Sequence, residues 1–376
     1  MDKILTVVIP TYNMESYLEK CLDSVLVEQV IGLIEVMIVN DGSKDSSLLI
    51  AKRYQNRYPG SIVVVDKKNG NYGSCLNLAF SLAKGKYIRT LDADDCFDSI
   101  ELVKFIEKLC SLPENIDLVL TNYVVNIVGT GKSRLIKQKG FFEKIYNHII
   151  DFEKNGIIYN IHAATYRTSV LRDNHIRLSE GISYTDIELL VYSLSYCKSL
   201  VLFDISLYRY TIGRQEQSVS MSSYLKNIDH ISIILHRIVD NYNIFFSESK
   251  LVYKNQIDAL FPLISIFSRL IIIEKRIKRS ENNSYVRLLE SVMEKDSYLS
   301  CKMLALKMTC IFYFRFLSVR LNRLKNKLLA NYLRNRGNDL ATVRNSAFCV
   351  AILSNNSFIC KYNIFFRKYE LSVAIL

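Results

Sequence analysis

Short apolar runs alternate with amphipathic stretches along the first 110 residues of the chain. The apolar runs have the length and the flanking turn residues of β-strands, which are predicted at residues 5–9, 34–39, 61–65 and 87–91. The stretches between them carry apolar residues at helical spacing, which predicts helices at residues 14–27, 46–58 and 74–84. Strands that alternate with helices are typical of a parallel sheet covered by helices. The pattern therefore predicts an α/β fold with a doubly wound, mostly parallel sheet, and Pro10 is expected to end the first strand.

The pattern is less regular beyond residue 110. Apolar segments predict further strands at residues 118–120, 157–166 and 199–210. A loop at residues 179–186 precedes a predicted helix at residues 187–195, and Thr185 or Asp186 suits the start of that helix. From about residue 225 the spacing is helical. We therefore expect the chain to form two parts, residues 1–220 and residues 221–376.

Three carboxylates, Asp92, Asp94 and Asp95, directly follow the fourth predicted strand. Parallel α/β sheets bind their ligands at the carboxyl ends of their strands, so this cluster is expected at the edge of a ligand site. Like charges this close repel, and hard divalent ions bind carboxylate oxygen together with substrate phosphates. The cluster indicates a metal–diphosphate site, and the alternative is a solvated acidic turn in which Asp95 or Asp98 caps a helix.

Loops after the other strands are expected at the same edge of the sheet. Thr11 and Tyr12 follow the first strand and suit hydrogen bonding to, and stacking on, a nucleobase. Asp41 follows the second strand, where its carboxylate can accept a hydrogen bond from a pyrimidine or a ribose, or cap the next helix. The Gly- and Asn-rich loop at residues 69–73 lets backbone N–H groups approach a ligand. Its spacing is neither that of a Walker loop nor that of a dinucleotide-binding fingerprint, so neither an ATPase nor a dehydrogenase is indicated.

Several residues later in the chain are candidates for chemistry. Asp186 can serve as a general base for an acceptor hydroxyl, and the alternative is a helix N-cap. Arg209 and Arg214 can hold a diphosphate, since guanidinium groups bind phosphate in a fork, and a surface ion pair is the alternative for each. His162 is either part of the acceptor side of the site or a packed histidine.

The composition suits a globular protein with an anionic partner. The chain has 376 residues, of which 49% are hydrophobic, and a formal net charge of +12. The positive excess favours a nucleotide, an acidic polymer or a phospholipid surface as partner. The 9 cysteines lack CxxC spacing, so neither a zinc site nor a disulfide framework is indicated and reduced, intracellular thiols are expected. We expect no secretory signal and no membrane span, because no apolar run reaches ~18 residues.

The segment at residues 302–336 contains lysines and arginines but no acidic residue. Its leucines repeat at helical spacing on the face opposite several of the basic residues. This pattern predicts a basic amphipathic helix that lies on an anionic membrane surface. The alternative is a helix that packs its leucines against the rest of the protein.

Four motifs together carry a resemblance to a known family. VVIPTYN, VNDGSKD, NGNYG and LDADD resemble the family 2 glycosyltransferases in order and spacing, at residues 7–13, 39–45, 69–73 and 91–95. The resemblance covers residues 1–220 and implies the GT-A nucleotide-sugar fold with a helical C-terminal extension. In that fold, residues 1–110 would be the nucleotide-sugar half and residues 111–220 the acceptor half.

The resemblance also implies a role for individual residues. Asp41 would contact the base, Asp92 the ribose, and Asp94 a Mn²⁺ or Mg²⁺ ion on the diphosphate. Asp186 would be the catalytic base, at a position where the family often has Glu-Asp and this chain has Thr185-Asp186. The whole set implied for nucleotide-sugar binding is Pro10, Thr11, Tyr12, Asp41, Asn69, Gly73, Asp92, Ala93 and Arg214.

The activity implied is the inverting, metal-dependent transfer of one sugar from a nucleotide-sugar, expected to be a UDP-sugar. The acceptor would be a hydroxyl of a glycan or of a lipid-diphosphate-linked intermediate, as in bacterial capsular and exopolysaccharide glycosyltransferases. The chain has no Trp and hence no Gln-x-x-Arg-Trp motif of the processive synthases, which favours single-sugar transfer. We expect a cytoplasmic protein, peripheral on the inner face of the cell membrane, with no nucleic-acid partner.

Two other functions remain as alternatives. A phosphohydrolase of the haloacid dehalogenase class also places Asp-x-Asp after a strand, but it has Thr where this chain has Cys96. A non-catalytic nucleotide-sugar-binding protein is the second alternative, because Thr185 departs from the family pattern.

Overall fold

The computed structural model describes residues 2–113, 116–146, 159–214, 217, 220–241 and 256–266. The chain divides into two units, Met1–Leu288 and Leu289–Leu376, and all described residues belong to the first. The basic helix predicted at residues 302–336 lies outside the described residues, so it stays a prediction, as does the boundary expected at residue 220. Within the described ranges, no helix is both long and apolar enough to cross a membrane.

The N-terminal half is the parallel sheet that the sequence predicts. Its strands lie in the order β3-β2-β1-β4, with bounds β1 Leu5–Thr11, β2 Ile34–Asn40, β3 Ile62–Asp66 and β4 Tyr87–Thr90. The helices of this half are α1 Leu18–Val25, α2 Ser47–Arg57, α3 Asn71–Leu82 and α4 Ser99–Ser111. Every residue of β2 is buried, as expected for a strand covered on both faces. Helix α3 packs against β1 and β2, and α2 packs against β3.

The first strand continues through Pro10, so the expectation that Pro10 ends it is wrong. β1 pairs with β2 as far as Thr11, but its pairing with β4 covers only Leu5 to Val8. Pro10 therefore lies where the β4 edge of β1 is unpaired. A missing N–H is tolerated at such a place because no ladder hydrogen bond is lost.

Beyond β4 the sheet becomes mixed. Among the described residues, ten strands form one sheet, which continues from β4 in the order β9-β6-β10-β5. The strands of this half are β5 Cys96–Phe97, β6 Leu118–Ile127, β7 Lys132–Ile136, β8 Ile145–Tyr146, β9 Ala164–Arg167 and β10 Leu200–Ile212. β6 and β10 are parallel, whereas β9 is antiparallel to both β4 and β6. Its helices are α5 Thr168–Asp173, α6 Asp186–Leu194, α7 Met221–Lys226 and α8 Ile228–Asp240, and residues 256–266 are also helical.

A buried arginine near the end of β4 connects the two halves of the sheet by hydrogen bonds. Arg89 donates hydrogen bonds to the hydroxyls of Thr165, at 2.9 Å, and Thr121, at 3.1 Å, and also to the backbone carbonyl of His162. Its guanidinium lies 5.6 Å from the ring centroid of Phe97. Burial lowers the pKa of Arg89 to about 9. These contacts fix the segment that precedes β9 next to the carboxyl end of β4.

Candidate active site

The turn after β4 holds the acidic cluster. Leu91 and Ala93 are buried, and the backbone N–H of Asp95 donates to the carbonyl of Asp92 at 2.9 Å, which closes the turn. The alternation of small or apolar residues with aspartates directs the carboxylates of Asp92 and Asp94 away from the core. Ala93 is buried between them, and its role in nucleotide-sugar binding stays a prediction.

The two proposed helix-capping residues have different environments. Asp98 is the N-cap of α4, and its Oδ1 accepts hydrogen bonds from the N–H groups of Ile100 and Glu101, both at 3.1 Å. Asp95 caps no helix; its carboxylate instead accepts from the hydroxyl of Tyr208 at 2.9 Å and from the N–H of Thr211 at 2.8 Å. The capping prediction is therefore confirmed for Asp98 alone.

Tyr208 on β10 connects the ends of the acidic turn. Its buried hydroxyl accepts a hydrogen bond from the N–H of Asp92 at 3.1 Å while it donates to Asp95. On the other side, Tyr72 of α3 donates to Oδ1 of Asp92 at 3.1 Å. The sequence predicts no role for either tyrosine, although Tyr72 lies in the NGNYG motif and Tyr208 in a predicted strand that ends in this region.

Burial makes the carboxylates of the turn weak acids. Burial and the charge of Asp94 raise the pKa of Asp92 to about 7. Burial and the charge of Asp92 raise the pKa of Asp95 to about 8. The cluster therefore holds more negative charge than its surroundings favour, and a nearby cation relieves it.

Arg214 supplies such a cation. Its guanidinium forms an ion pair with Asp94, donates to the Asp94 carbonyl at 3.3 Å, and lies 4.6 Å from the ring centroid of Tyr17. Asp94 and Arg214 line a cavity of about 330 Å³ together with Tyr17 and Lys20. Arg209, by contrast, pairs with Asp98 at 2.5 Å, so it anchors the start of α4 and does not line this cavity.

The position of Asp94 fits a divalent metal ion. Its carboxylate is a hard oxygen ligand that faces a cavity, and the group that now occupies it is itself a cation. Exchange of Arg214 for a divalent metal ion would keep a positive charge beside Asp94. The guanidinium would then be free to bind phosphate.

Hydrogen bonds connect the residues that are expected to bind the nucleobase. Oδ1 of the buried Asp41 accepts from Lys67 Nζ at 2.7 Å and from the N–H of Gly70 at 2.9 Å, and the Asn69 side chain donates to the Asp41 carbonyl at 2.9 Å. The sequence does not predict the contact of Lys67 with Asp41, because a lysine in a loop gives no specific signal. At the neighbouring end of β1, Thr11 is buried.

The Thr11 hydroxyl donates to the carbonyl of Ile9 at 3.1 Å, which positions the end of β1. Pro10, the preceding residue, is half-buried. Tyr12, which follows β1, has 43% of its side chain exposed, so its ring is available for stacking. Base binding by Thr11 and Tyr12 stays a prediction.

Gly73 lies within the first turn of α3, which begins three residues before its predicted start. A Cβ on Gly73 would come within 2.1 Å of the carbonyl oxygen of Ser179 and 3.0 Å of Thr185 Oγ1. The glycine is therefore required for close packing of the loop at residues 179–185 on α3. That reason differs from the predicted approach of a ligand, and a role of Gly73 in donor binding stays a prediction.

The same loop delivers Asp186 to the acidic turn. Thr185 occupies the N-cap of α6, without a side-chain capping bond, and Asp186 is the first helical residue. Burial raises the pKa of Asp186 to about 6. The charge of Asp186 in turn raises the pKa values of Asp92 and Tyr72, which means that the fold brings these groups together.

A buried glutamate holds this loop in place. Glu188 of α6 accepts from the N–H and the hydroxyl of Ser179, at 2.6 and 2.9 Å, and from Arg237 of α8 at 3.2 Å. On the α3 side, the Asn77 amide pairs with both the N–H and the carbonyl of Leu178, at 2.8 and 2.9 Å. Nothing in the local sequence distinguishes Glu188 or Asn77 from a surface residue.

Aromatic side chains surround the site. Tyr184 stacks on Tyr224 of α7 with ring centroids 5.3 Å apart. Burial raises the pKa of both tyrosines, and the charge of Asp186 adds a smaller increase. His162 stacks on Tyr210 at 4.0 Å. Burial, and then the charge of Arg89, lower the pKa of His162 to about 3, so the imidazole is neutral. The ring is thus packed, as the packed-histidine alternative predicts, and a place of His162 on the acceptor side stays a prediction.

Comparison with known proteins gives three findings. Residues 6–174 match the model of the family described as glycosyl transferase family 2. An uncharacterized glycosyltransferase of Mycoplasma pneumoniae is 44% identical over 97 residues, which are 25% of this chain and 32% of that protein. The minor teichoic acid biosynthesis protein GgaB of Bacillus subtilis is 41% identical over 92 residues, 24% of this chain and 10% of that protein. The matched segment thus spans less than a third of either relative.

A solved structure extends the likeness over more of the chain. The crystal structure of S. aureus TarS 1–349 in complex with UDP-GlcNAc has 21% sequence identity and a TM-score of 0.55, over 79% of this chain and 83% of that chain. At this identity the likeness concerns the fold. The expected GT-A fold is confirmed.

Proposed function

We propose that the chain transfers one sugar from a nucleotide-sugar to an acceptor hydroxyl with inversion, and the match of residues 6–174 to glycosyl transferase family 2 supports this activity. The observation that carries the proposal is the place of Asp186: the preceding Thr185 packs on Gly73 of α3, whose neighbour Tyr72 donates to Asp92 at 3.1 Å. A general base beside a metal–diphosphate site is the arrangement that a single displacement at a sugar carbon needs.

The donor is proposed to be a UDP-sugar that binds at the carboxyl edge of the parallel strands. The buried Asp41 accepts hydrogen bonds and suits the base, Tyr12 stacks on it, and Asp92 reaches the ribose. Arg214 binds the diphosphate once it leaves Asp94. TarS, which shares the fold, was crystallised with UDP-GlcNAc, and this supports a uridine nucleotide.

Asp94 is proposed to hold a Mn²⁺ or Mg²⁺ ion. When bound, such an ion neutralises negative charge on the leaving diphosphate. The chain itself supplies a second positive group at this point, the guanidinium of Arg214. Tyr17 holds that guanidinium at the cavity, so that it remains close when Asp94 changes partner.

Asp186 is proposed to remove the proton from the acceptor hydroxyl as it attacks the anomeric carbon. With a pKa of about 6, its carboxylate is ionised at neutral pH yet basic enough to accept a proton. One displacement inverts the anomeric configuration. Tyr184 and Tyr224, stacked beside this carboxylate, offer an aromatic surface to the acceptor sugar.

The acceptor is proposed to be a glycan or a lipid-diphosphate-linked intermediate of surface polysaccharide synthesis. The match to GgaB, whose name refers to minor teichoic acid biosynthesis, supports a surface polymer. The net charge of +12 and the basic helix predicted at residues 302–336 support attachment to the inner face of the cell membrane. These two sequence features also suit an acceptor that carries phosphate.

The proposal is tested by a donor screen with the full chain. UDP-sugars and GDP-sugars are offered with Mn²⁺ or Mg²⁺ and with oligosaccharide or lipid-diphosphate acceptors, and released nucleotide and the anomeric configuration of the product are measured. We expect metal- and acceptor-dependent release of UDP with inversion. Hydrolysis of a generic phosphate ester without nucleotide release would support the phosphohydrolase alternative, and donor binding without transfer the non-catalytic one.

A further inference from the structure

A second set of possible metal ligands lies at the acidic turn and does not include Asp94. Asp92, Asp95 and His162 each place a ligand atom within 4.8 Å of the others. The three come from the turn after β4 and from the segment before β9. Arg89 binds the His162 carbonyl, and the side chain of Asn160 accepts from the His162 N–H at 3.0 Å, so the backbone of this histidine is fixed.

One ring nitrogen of His162 has no hydrogen-bond partner among the described residues. Only 6% of the residue is exposed, and its Nδ1 is buried without a hydrogen-bond partner among the described residues. A buried polar atom without a partner costs free energy, and it usually marks an ordered water, an ion or a functional role. A neutral imidazole is also the commonest nitrogen ligand of metal ions in proteins.

We propose that Asp92, Asp95 and His162 form a site for a divalent transition-metal ion, separate from the ion expected at Asp94. One imidazole nitrogen and two carboxylates suit Zn²⁺, Mn²⁺ or Co²⁺ better than Mg²⁺, which prefers oxygen ligands and water. Ligand atoms ~2.1 Å from such an ion lie ~3–4 Å apart, so the three side chains need to draw together by about 1 Å.

The surroundings support this site in the way that metal ligands are usually supported. The Tyr208 hydroxyl donates to Asp95 and accepts from the N–H of Asp92, which orients both acids. Tyr210 stacks on the imidazole and sets its plane. A bound cation would offset the repulsion between the two carboxylates and tie the segment before β9 to the turn that carries Asp94. The site would thus stabilise the part of the fold that carries the proposed donor site.

The test measures metal binding to the full chain, freed of metal and kept without nucleotide-sugar or acceptor, so its result does not depend on transferase activity. Co²⁺ is the probe, because its visible absorption reports nitrogen and oxygen ligands. We expect saturable Co²⁺ absorption that Zn²⁺ abolishes and that millimolar Mg²⁺ leaves in place. The same titration is run on Asp94→Asn, which should retain the signal, and on His236→Phe of α8 as a matched histidine control.

His162→Phe keeps the ring against Tyr210 but removes the nitrogen ligand. We expect Co²⁺ affinity to fall at least ~100-fold, since even a residue that only supports a ligand is worth ~10–100-fold. Asp95→Asn, whose single amide oxygen can still accept from either Tyr208 or Thr211, gives the same readout if the first variant does not fold. Anomalous scattering from Co²⁺-soaked crystals between the three side chains supports the site. Scattering confined to Asp94, or unchanged affinity in the variants, overturns it.

Discussion

Asp94 and Arg214 form an ion pair that joins the turn after β4 to the segment after β10. Both residues are proposed to change partner when the donor binds, since Asp94 then holds a metal ion and Arg214 the diphosphate. The pair therefore keeps the two groups in place before the donor arrives. It also sets up a competition between the metal ion and the guanidinium for Asp94.

This competition predicts opposite effects on metal and donor in Arg214→Ala. Without the donor, affinity for Mn²⁺ should rise several-fold, because Asp94 has lost its partner. Affinity for the UDP-sugar should fall ~10–100-fold, the usual contribution of hydrogen bonds to a charged group. Isothermal titration with each ligand measures both effects. Arg53→Ala, which removes an exposed ion pair between Arg53 of α2 and Glu19 of α1, should change neither.

The raised pKa of Asp186 predicts the acid limb of the pH profile. Burial raises this pKa to about 6, so the base is protonated and inactive below that pH. We expect kcat to fall ~10-fold per pH unit below about 6 and to level off above it. Initial rates from pH 4.5 to 8 with saturating donor measure the profile. A rate that does not change between pH 5 and 7 would show that a different group acts as base.

Gly73→Ala should weaken both stability and activity. The added Cβ would lie 2.1 Å from the Ser179 carbonyl, so the loop that carries Asp186 must move. We expect a loss of about 1–3 kcal/mol in the free energy of unfolding, the usual cost of overpacking, and a lower kcat. Urea titration and initial rates measure the two effects. Gly60→Ala is the matched control, because a Cβ there meets nothing within 4 Å.

Glu188→Gln should destabilise the same loop from the other side. The substitution leaves Arg237 without its carboxylate and weakens the bonds to Ser179. Arg237 keeps about a third of its side chain in solvent, so we expect a loss of about 1–3 kcal/mol, less than the ~3–5 kcal/mol for a fully buried pair. Glu180→Gln, in an exposed ion pair with Arg177, should cost less than about 1 kcal/mol. Equal losses in the two variants would contradict this account.

The parallel half of the fold was predictable because its signals are local. Each strand of that half is a short apolar run, and each is followed by polar residues at the carboxyl edge of the sheet. Asp41 and Asp92 could therefore be identified from their positions after strands. Parallel strands that are buried on both faces leave this clear pattern in a sequence.

The mixed half was not predictable in the same way. Whether Tyr208 meets Asp95 depends on the antiparallel register of β10 with β5, which covers only two residue pairs. The contact of His162 with the acidic turn depends on β9 entering between β4 and β6. The burial of Glu188 depends on α8, which follows it by a long stretch of chain. Such contacts arise from tertiary packing and leave no periodic signal.

The central claim is that Asp186 acts as the base beside a donor site built on Asp92 and Asp94. Its most direct test compares Asp186→Asn with the wild type in two assays, UDP-sugar binding with Mn²⁺ and release of UDP with acceptor. Asp173→Asn, an exposed aspartate at the end of α5, is the control. We predict unchanged donor affinity and a loss of transfer of at least ~100-fold in Asp186→Asn alone. Transfer at the wild-type rate in that variant would contradict the claim.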